Sequence, residues 1–391
     1  MDAAALEHSW DIVAKSGDEV PLYFYSHLFL HHPELRDLFP VSMSNQRDKL
    51  VGALGRIVSN VNMLDEVVPF IQQLGRDHRR FSVIAEHYDA VGASLLATLR
   101  HFLGSTWTES LAADWAAAYG VIAKVMVQAA EEAAETTPDW WVADVTGVER
   151  RTIDVAVVQV RPRQPLDYLP GQSVAVEVPQ RPRLWRYLSP ANAPRADGSL
   201  EFHVQLVPGG QVSSAVVRSL RAGDSVRLGA PVGGNLTRSA GDRQDLLMVA
   251  GGTGLAPLRA VVEQIDREWV THGTGPKVHL FHGARVPWSL YEHELLTQLS
   301  SRPWFDYTPV LSDDPSHPGA RGLVGAVAAH HQPWQDRVAL VCGSPGMTRH
   351  TVTELASAGI PRDRIRAEDF DTAGGAGAPP PHDVSRERDD R

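Results

Sequence analysis

Leu246-Leu-Met-Val-Ala-Gly-Gly-Thr-Gly-Leu-Ala-Pro257 decides the fold of the C-terminal part of this chain. Its apolar run, closed by glycine, has the length of a buried strand and is too short for a core helix. The glycines allow a tight turn, and a helical pattern then continues to about Trp269. Strand, glycine turn and helix open an α/β unit, and a strand end facing a helix start is a natural anion site. The texture recurs. Lys277-Val-His-Leu-Phe281 precedes a helical stretch from Glu292 to Leu299, and Val338-Ala-Leu-Val-Cys342 runs into Gly343-Ser-Pro-Gly-Met347. This alternation predicts an α/β parallel-sheet domain over 241–370. The turn alone says little about a ligand, because an empty tight turn reads the same way. Pro257 also stands where the third glycine of Gly-x-Gly-x-x-Gly would fall.

Working back from the turn, the stretch 138–240 reads as an all-β barrel. Thr152-Ile-Asp-Val-Ala-Val-Val-Gln-Val160 and Ser173-Val-Ala-Val-Glu-Val178 alternate with period two between Pro and Gly breaks. Residues 1–137 change period again. Apolar positions recur every three or four residues, with Val121, Val125 and Ala129 expected on one stripe. Leu111 to Glu135 reads as one long amphipathic helix with Lys124 mid-span, and Pro33 and Pro69 are expected in helix first turns. The tail 371–391, rich in Gly, Pro and charge, is predicted to be disordered. The chain is thus multidomain: all-α, then all-β, then α/β.

Composition narrows the function classes. The chain has 391 residues, enough for two or three cores at roughly 100–200 residues each. A net charge of -10 with interspersed signs offers no field for phosphate backbones, so no nucleic acid is expected. The single cysteine, Cys342, excludes an intrachain disulfide framework and fits a reducing compartment. Met1-Asp-Ala-Ala-Ala-Leu-Glu-His8 lacks the cationic and apolar texture of a secretory leader, and no uncharged run approaches membrane-spanning length. The expectation is a cytoplasmic protein with small-molecule partners, no membrane and no obligate protein partner.

Around the glycine turn, Pro170-Gly-Gln172, Arg186-Tyr-Leu-Ser189 and Gly209-Gly-Gln-Val-Ser213 precede in order, and Cys342 to Met347 and Glu368-Asp-Phe370 follow. This ordered set resembles the ferredoxin-NADP reductase family. The resemblance implies FAD on the barrel, with Arg186 on the flavin pyrophosphate, where a rigid guanidinium fork suits phosphate oxygens. It implies Ser189 near the reactive flavin nitrogen, the amides of Gly210, Gln211, Val212 and Ser213 at the pyrophosphate, and Phe370 stacked on the ring. Tyr187 and Leu188 complete that stretch as candidate flavin contacts. The family usually has tyrosine where Leu188 stands, and Tyr187, one place earlier on a strand, points to the other face. By the same resemblance Gly251, Gly252, Thr253 and Gly254, with Pro257 behind them, receive the nicotinamide dinucleotide, and Cys342, Gly343 and Pro345 lie beside its nicotinamide. Arg285 is a candidate for a 2′-phosphate, which tilts the donor toward NADPH and leaves NADH open.

The helical part carries a second ordered set: Tyr23-Phe-Tyr-Ser-His-Leu-Phe-Leu-His-His-Pro-Glu-Leu-Arg-Asp-Leu-Phe39, Gln46-Arg-Asp-Lys-Leu50, His78, Tyr88-Asp-Ala-Val-Gly92 and Ala118-Tyr-Gly120. A lone imidazole is more often structural than ligating. As a set, these stretches resemble the globin domain of the flavohaemoglobin family. That resemblance implies haem b with His78 as proximal iron ligand, and Tyr88 and Glu132 behind it, Glu132 accepting from the imidazole and increasing its basicity. Glu131 is the adjacent competitor. Tyr25 and Gln46 are implied on the oxygen side, Leu50 over the open site, and Phe39 against the porphyrin. Flavohaemoglobins commonly have lysine where Asp77 stands, so the haem propionate contact is expected to pass to a neighbouring arginine, Arg79 among them.

The implied function is a nitric oxide dioxygenase acting on NO and O2, with NAD(P)H feeding FAD and FAD feeding the haem. Two alternatives stay open: another haem and flavin oxidoreductase, such as a hydroperoxide reductase or an organic-substrate oxidase, and a gas or redox sensor.

Overall fold

Strong helix formers build the first third of the chain. The structure, a computed structural model, describes residues 1–60 and 63–369. Six helices come first: α1 (Ala3–Ala14), α2 (Glu19–His31), α3 (Ser44–Val58), α4 (Leu64–His78), α5 (His87–Leu103) and α6 (Glu109–Ala134). Side chains cap two of them where the sequence supplies an acceptor. Asp2 accepts from the Ala5 amide at 3.1 Å and Thr108 from the Leu111 amide at 3.1 Å. Pro33 opens a 3-10 turn, Pro33–Leu38, as expected of a first-turn proline. Pro69 is a correction, because it lies inside α4. The α6 stripe is also shifted: Val121 is exposed, while Met126 and Ala129 are buried beside half-buried Ile122 and Val125. By length and composition α6 could cross a membrane. Here its buried face belongs to the bundle, and Trp115 donates its indole N–H to Ser9 Oγ on α1 at 3.0 Å.

The helical core is in two pieces. One joins α1, α2 and α5 with the start of α6 and is edged by half-buried Phe39, Leu50, Val51 and Leu54. The other consists of Ile57, Val67, Ile71 and Met126, edged by half-buried Phe70, Leu74 and Tyr88. At the second, α4 and α6 touch backbone to backbone, since a Cβ on Gly75 would stand 2.2 Å from the Met126 carbonyl oxygen.

Period-two alternation then gives β1 (Trp141–Arg150), β2 (Val155–Pro162), β3 (Ser173–Glu177), β4 (Trp185–Leu188), β5 (Leu200–Gln205), α7 (Gln211–Arg218) and β6 (Ser225–Val232). The strands pair antiparallel in the order β4-β3-β6-β1-β2-β5. An antiparallel bridge between Pro190, just after β4, and Phe202 in β5 joins the two edges, so the sheet closes as a barrel. Its interior is filled by Val, Leu and Phe202.

The last part runs β7 (Leu246–Gly251), α8 (Leu255–His272), β8 (Val278–Ala284), α9 (His293–Leu299), β9 (Phe305–Leu311), β10 (Ala320–Arg321), α10 (Val324–His331), β11 (Val338–Gly343), α11 (Pro345–Ser357) and β12 (Ile365–Asp369). All pairs are parallel, in the order β10-β9-β8-β7-β11-β12. After β7 the chain builds outward on one side and then returns to build on the other. The order reverses between β7 and β11, and a crevice opens there at the strand C-termini. The expected tail, 371–391, lies outside the described residues, as does Phe370.

Candidate functional site

His78 ends α4, and its own helix fixes its tautomer. Nδ1 lies 2.6 Å from the Leu74 carbonyl oxygen one turn back. A carbonyl only accepts, so Nδ1 carries the proton and Nε2 is left with a lone pair. Burial lowers the imidazole pKa against the opposing pull of Leu74 and Asp77, which keeps the ring neutral. The neutral ring is the form that ligates a metal. Among the described residues no group of three or more His, Cys, Asp or Glu could hold an ion, so an ion here would arrive already held by its own ligands. The helical core falls into two clusters, each edged with half-buried apolar side chains, Phe39 and Leu50 on one and Leu74 and Tyr88 on the other, a lining whose chemistry suits a haem. These residues fit the group.

In the first cluster, Tyr25 is buried on α2 and its hydroxyl donates to the Gln46 backbone carbonyl at 3.4 Å. Gln46 thus meets Tyr25 through its backbone carbonyl, and its side chain also hydrogen-bonds the phenol. Burial raises the Tyr25 pKa, so the phenol keeps its proton and can donate. Phe39 packs edge-on against Tyr25 at 5.5 Å, and Leu50 is half-buried beside the same cluster. Tyr88 is half-buried at the second cluster, and burial lifts its pKa to about 12.

Glu132 requires correction. It is exposed on α6 and accepts from Gln128 Nε2 at 2.8 Å, while the Leu74 carbonyl occupies the imidazole nitrogen it was expected to serve. Glu131 is exposed as well. Arg79 is also spoken for. It donates to Thr137 Oγ1 at 3.0 Å and to the Thr137 carbonyl at 2.6 Å, and pairs with Asp139 at 3.0 Å, so it anchors the connector between helices and barrel.

On the barrel, β4 places Arg186 half-buried, with Nη1 donating to the Trp185 carbonyl at 2.9 Å. Among the described residues no carboxylate pairs with it, and burial lowers its pKa. A desolvated guanidinium without an acid is suited to an incoming anion. Ser189 is buried with its Oγ 3.0 Å from Ser173 Oγ. Gly210 caps α7 without a side chain, which leaves the first amides of the helix, from Gln211 and Val212, unsatisfied. Ser213 Oγ accepts from the Val207 amide at 3.2 Å and steadies that loop. These features fit a pyrophosphate. Leu188 packs on the barrel core. Tyr187 is the other correction among the flavin candidates. Its ring faces the helical domain, where its hydroxyl donates to Asp77 Oδ2 at 3.0 Å and accepts from Arg80 at 3.0 Å.

At the switch point Gly252 adopts φ +53°, which favours glycine, and its carbonyl meets His282 Nε2 at 3.1 Å. A Cβ on Gly254 would stand 2.2 Å from the Cys342 carbonyl oxygen, so the turn and the β11 loop touch. Gly251 and Gly343 both border Met347. Cys342 is buried, Thr253 and Pro345 are half-buried at the crevice, and Pro257 sits buried in the first turn of α8, where its missing N–H costs no helical bond. Arg285, the candidate for a 2′-phosphate, is paired through Nε with Asp313 at 2.6 Å.

Sequence reasoning missed several groups here. Asp313 comes from the loop just after β9, and His203, Glu201, Arg259 and Tyr291 join barrel and nicotinamide domain. His203 bonds Tyr291 at 2.9 Å and Glu201 at 3.1 Å, and Arg259 pairs with Glu201 at 2.7 Å. Burial raises the Glu201 carboxyl, but His203, Arg259 and Arg195 outweigh it and bring the pKa to about 2. Alternating apolar and charged residues in Leu200–Gln205 were the available signal, since Glu201 and His203 on one face of a strand imply a polar partner.

Comparison with known proteins gives a consistent result. Residues 22–126 match the globin family model, 143–235 the oxidoreductase FAD-binding domain, and 248–353 the oxidoreductase NAD-binding domain. A flavohemoprotein of Bordetella parapertussis is 28% identical over 397 residues, covering 93% of this chain and 96% of that one. The crystal structure of a flavohemoglobin from Malassezia yamatoensis, with bound FAD and heme, superposes with a TM-score of 0.73 at 16% identity, covering 94% of this chain and 98% of that one. The flavohem-like FAD/NAD-binding domain of a nitric oxide dioxygenase from Vibrio cholerae aligns with 59% of this chain and 98% of its own, at a TM-score of 0.52 and 20% identity.

Proposed function

The chain belongs to the flavohaemoglobin family, an NAD(P)H-dependent oxidoreductase build with haem, FAD and nicotinamide cofactors, and from that premise we propose that it is a nitric oxide dioxygenase. The net reaction consumes two nitric oxide, two dioxygen and one NAD(P)H, and yields two nitrate, NAD(P)+ and one proton. One observation carries the reading: His78 is a neutral imidazole with its Nδ1 proton fixed and its Nε2 lone pair free, in a domain joined to a complete reductase. When bound, the haem supplies oxygen activation, and the flavin converts a two-electron donor into single electrons.

The chain's own residues supply the setting. His78 offers Nε2 in a fixed orientation. Because its other nitrogen faces a carbonyl and no carboxylate, it donates less strongly than an imidazolate would. Tyr25 keeps its proton and presents a hydroxyl in the first cluster. The apolar rim of Phe39 and Leu50 excludes water. Arg186 and the α7 amides hold a pyrophosphate, and the crevice at Gly252 to Gly254 holds a second. Asp313 neutralises Arg285 and offers an acceptor to a ribose hydroxyl, so NADH is the expected donor in place of NADPH. Comparing kcat/KM for the two nucleotides checks this; a preference for NADPH overturns it.

The decisive test mixes holoprotein, NADH, air and nitric oxide and measures nitrate. Turnover well above the protein-free rate supports the reading, and formation no faster than that rate sinks it. The similarity to the Vibrio nitric oxide dioxygenase module and to flavohemoproteins over nearly the whole chain supports the same assignment.

A further inference from the structure

Arg80 projects from the turn after α4 into the flavin barrel. Its guanidinium carbon lies over three rings, Phe81 at 5.4 Å, Trp185 at 5.6 Å and Tyr187 at 5.2 Å. Nη1 also donates to Asp77 Oδ1 at 3.2 Å and to the Tyr187 hydroxyl at 3.0 Å, while that hydroxyl donates to Asp77 Oδ2 at 3.0 Å. Three side chains from two domains close one ring of hydrogen bonds. Gln73 fixes the carboxylate from behind, with Nε2 on Asp77 Oδ1 at 3.1 Å. The site is largely shielded from solvent: the Arg80 side chain is 11% exposed and that of Asp77 19%. Gly229 on β6 lies beside it, where a Cβ would stand in ordinary contact, 3.6 Å from Nη1.

The ends of this cluster matter. Asp77 precedes His78 in the chain, and Phe81 packs edge-on against His78 at 6.5 Å and against Trp185 at 6.3 Å. Trp185 and Tyr187 flank Arg186 on β4. A cation clamped over aromatic faces and hydrogen-bonded to a buried acid is a rigid join, because displacing either domain strands a desolvated charge. We propose that Asp77, Arg80 and Tyr187 are positioning residues for electron passage between flavin and haem, locking the His78 helix end to the β4 strand that carries Arg186. The three act through His78 and β4. The proposal rests on the reading that the reductase feeds the haem.

The test uses full-length holoprotein in anaerobic stopped flow. NADH bleaches the flavin in one phase, and haem reduction under carbon monoxide follows in a second. Tyr187→Phe keeps the ring and removes both hydroxyl bonds, and Arg80→Met keeps the stem and removes the charge. In Arg80→Met the second phase is expected to slow by about ten-fold or more, up to the hundred-fold of a misplacement of roughly an ångström, with a smaller loss in Tyr187→Phe and the first phase unchanged. Amide hydrogen exchange should rise together in peptides covering 76–82 and 183–189, with haem and FAD content unchanged. Both phases within two-fold of wild type in both variants, or exchange rising in only one peptide, would overturn the proposal. Failure of wild-type protein to reduce its haem from NADH would instead remove the underlying reading.

Discussion

The helical domain and the nicotinamide domain fill their interiors differently. In the nicotinamide domain, Leu247, Met248, Val249 and Ala250 on β7 are all fully buried, and helices cover both faces of the sheet. That core is complete in protein atoms. The helical core falls into two clusters, each edged with half-buried apolar side chains. Half-buried apolar edges of this kind leave contacts unmade until something apolar covers them. One domain is thus finished by its own sequence, and the other by its prosthetic group.

Removing the group should break the contrast most strongly. His78→Ala is expected to abolish the Soret band at equal protein concentration. With the haem goes its binding contribution to folding, about 4 kcal/mol or more for a tightly held ligand, and it is lost from the helical domain alone. Calorimetry should then show an early helical transition and an unshifted nicotinamide one. A single unshifted transition would mean that the helical core is complete without haem.

Gly254→Val attacks the finished domain. Its Cβ would lie 2.2 Å from the Cys342 carbonyl oxygen, so backbone must move, at a cost of roughly 1–3 kcal/mol or more. A lowered Tm for the nicotinamide domain with a raised KM for NADH is the expected pair, read by calorimetry and steady-state kinetics.

Acid should separate the domains less sharply. Burial pushes His282 down to about 4, so near neutral pH it stays unprotonated in the folded domain. As pH falls from about 6.5 toward 4 the unfolded chain binds the proton first. The stabilisation present above that window is lost within it, by roughly 3 kcal/mol at most. His279, also lowered to about 4 by burial, adds to the trend. His282→Asn should flatten the Tm against pH curve of the nicotinamide domain over that range. An unchanged slope contradicts the account.

The smallest effect is expected at Glu132→Gln. An exposed carboxylate bonded to Gln128 should leave the Soret position and the haem reduction rate unaltered. A spectral shift would return Glu132 to the proximal side and narrow the contrast drawn here.

What the sequence made legible is what local periodicity encodes. The run Leu246 to Ala250, the glycine turn and the strands at Ser173 and Val338 sit in the structure close to where two- and three-to-four-residue periods put them. His78 was identifiable only as one of an ordered set, and its Leu74 partner follows from helix geometry, four residues back on one face. Glu132 misled because the sequence does not fix which side of α6 faces α4 near its end. Tyr187 and Arg80 are 107 positions apart, and Arg285 and Asp313 are 28 apart; each pair meets through domain docking or strand order, which no local pattern records. Asp77, a departure from the family pattern, and Tyr187, a candidate flavin contact, are bonded to each other.

Arg79 bears on how the protein can be divided. Its guanidinium is bound to Thr137 and Asp139, so the residues after α6 belong mechanically to the helix end that carries His78. A separately expressed helical half that stops at Ala134 would leave Arg79 unpaired beside the proximal histidine, whereas one extended through Asp139 keeps that brace. The seam between the two modules therefore falls between Asp139 and the first strand, a few residues later than the end of the last helix.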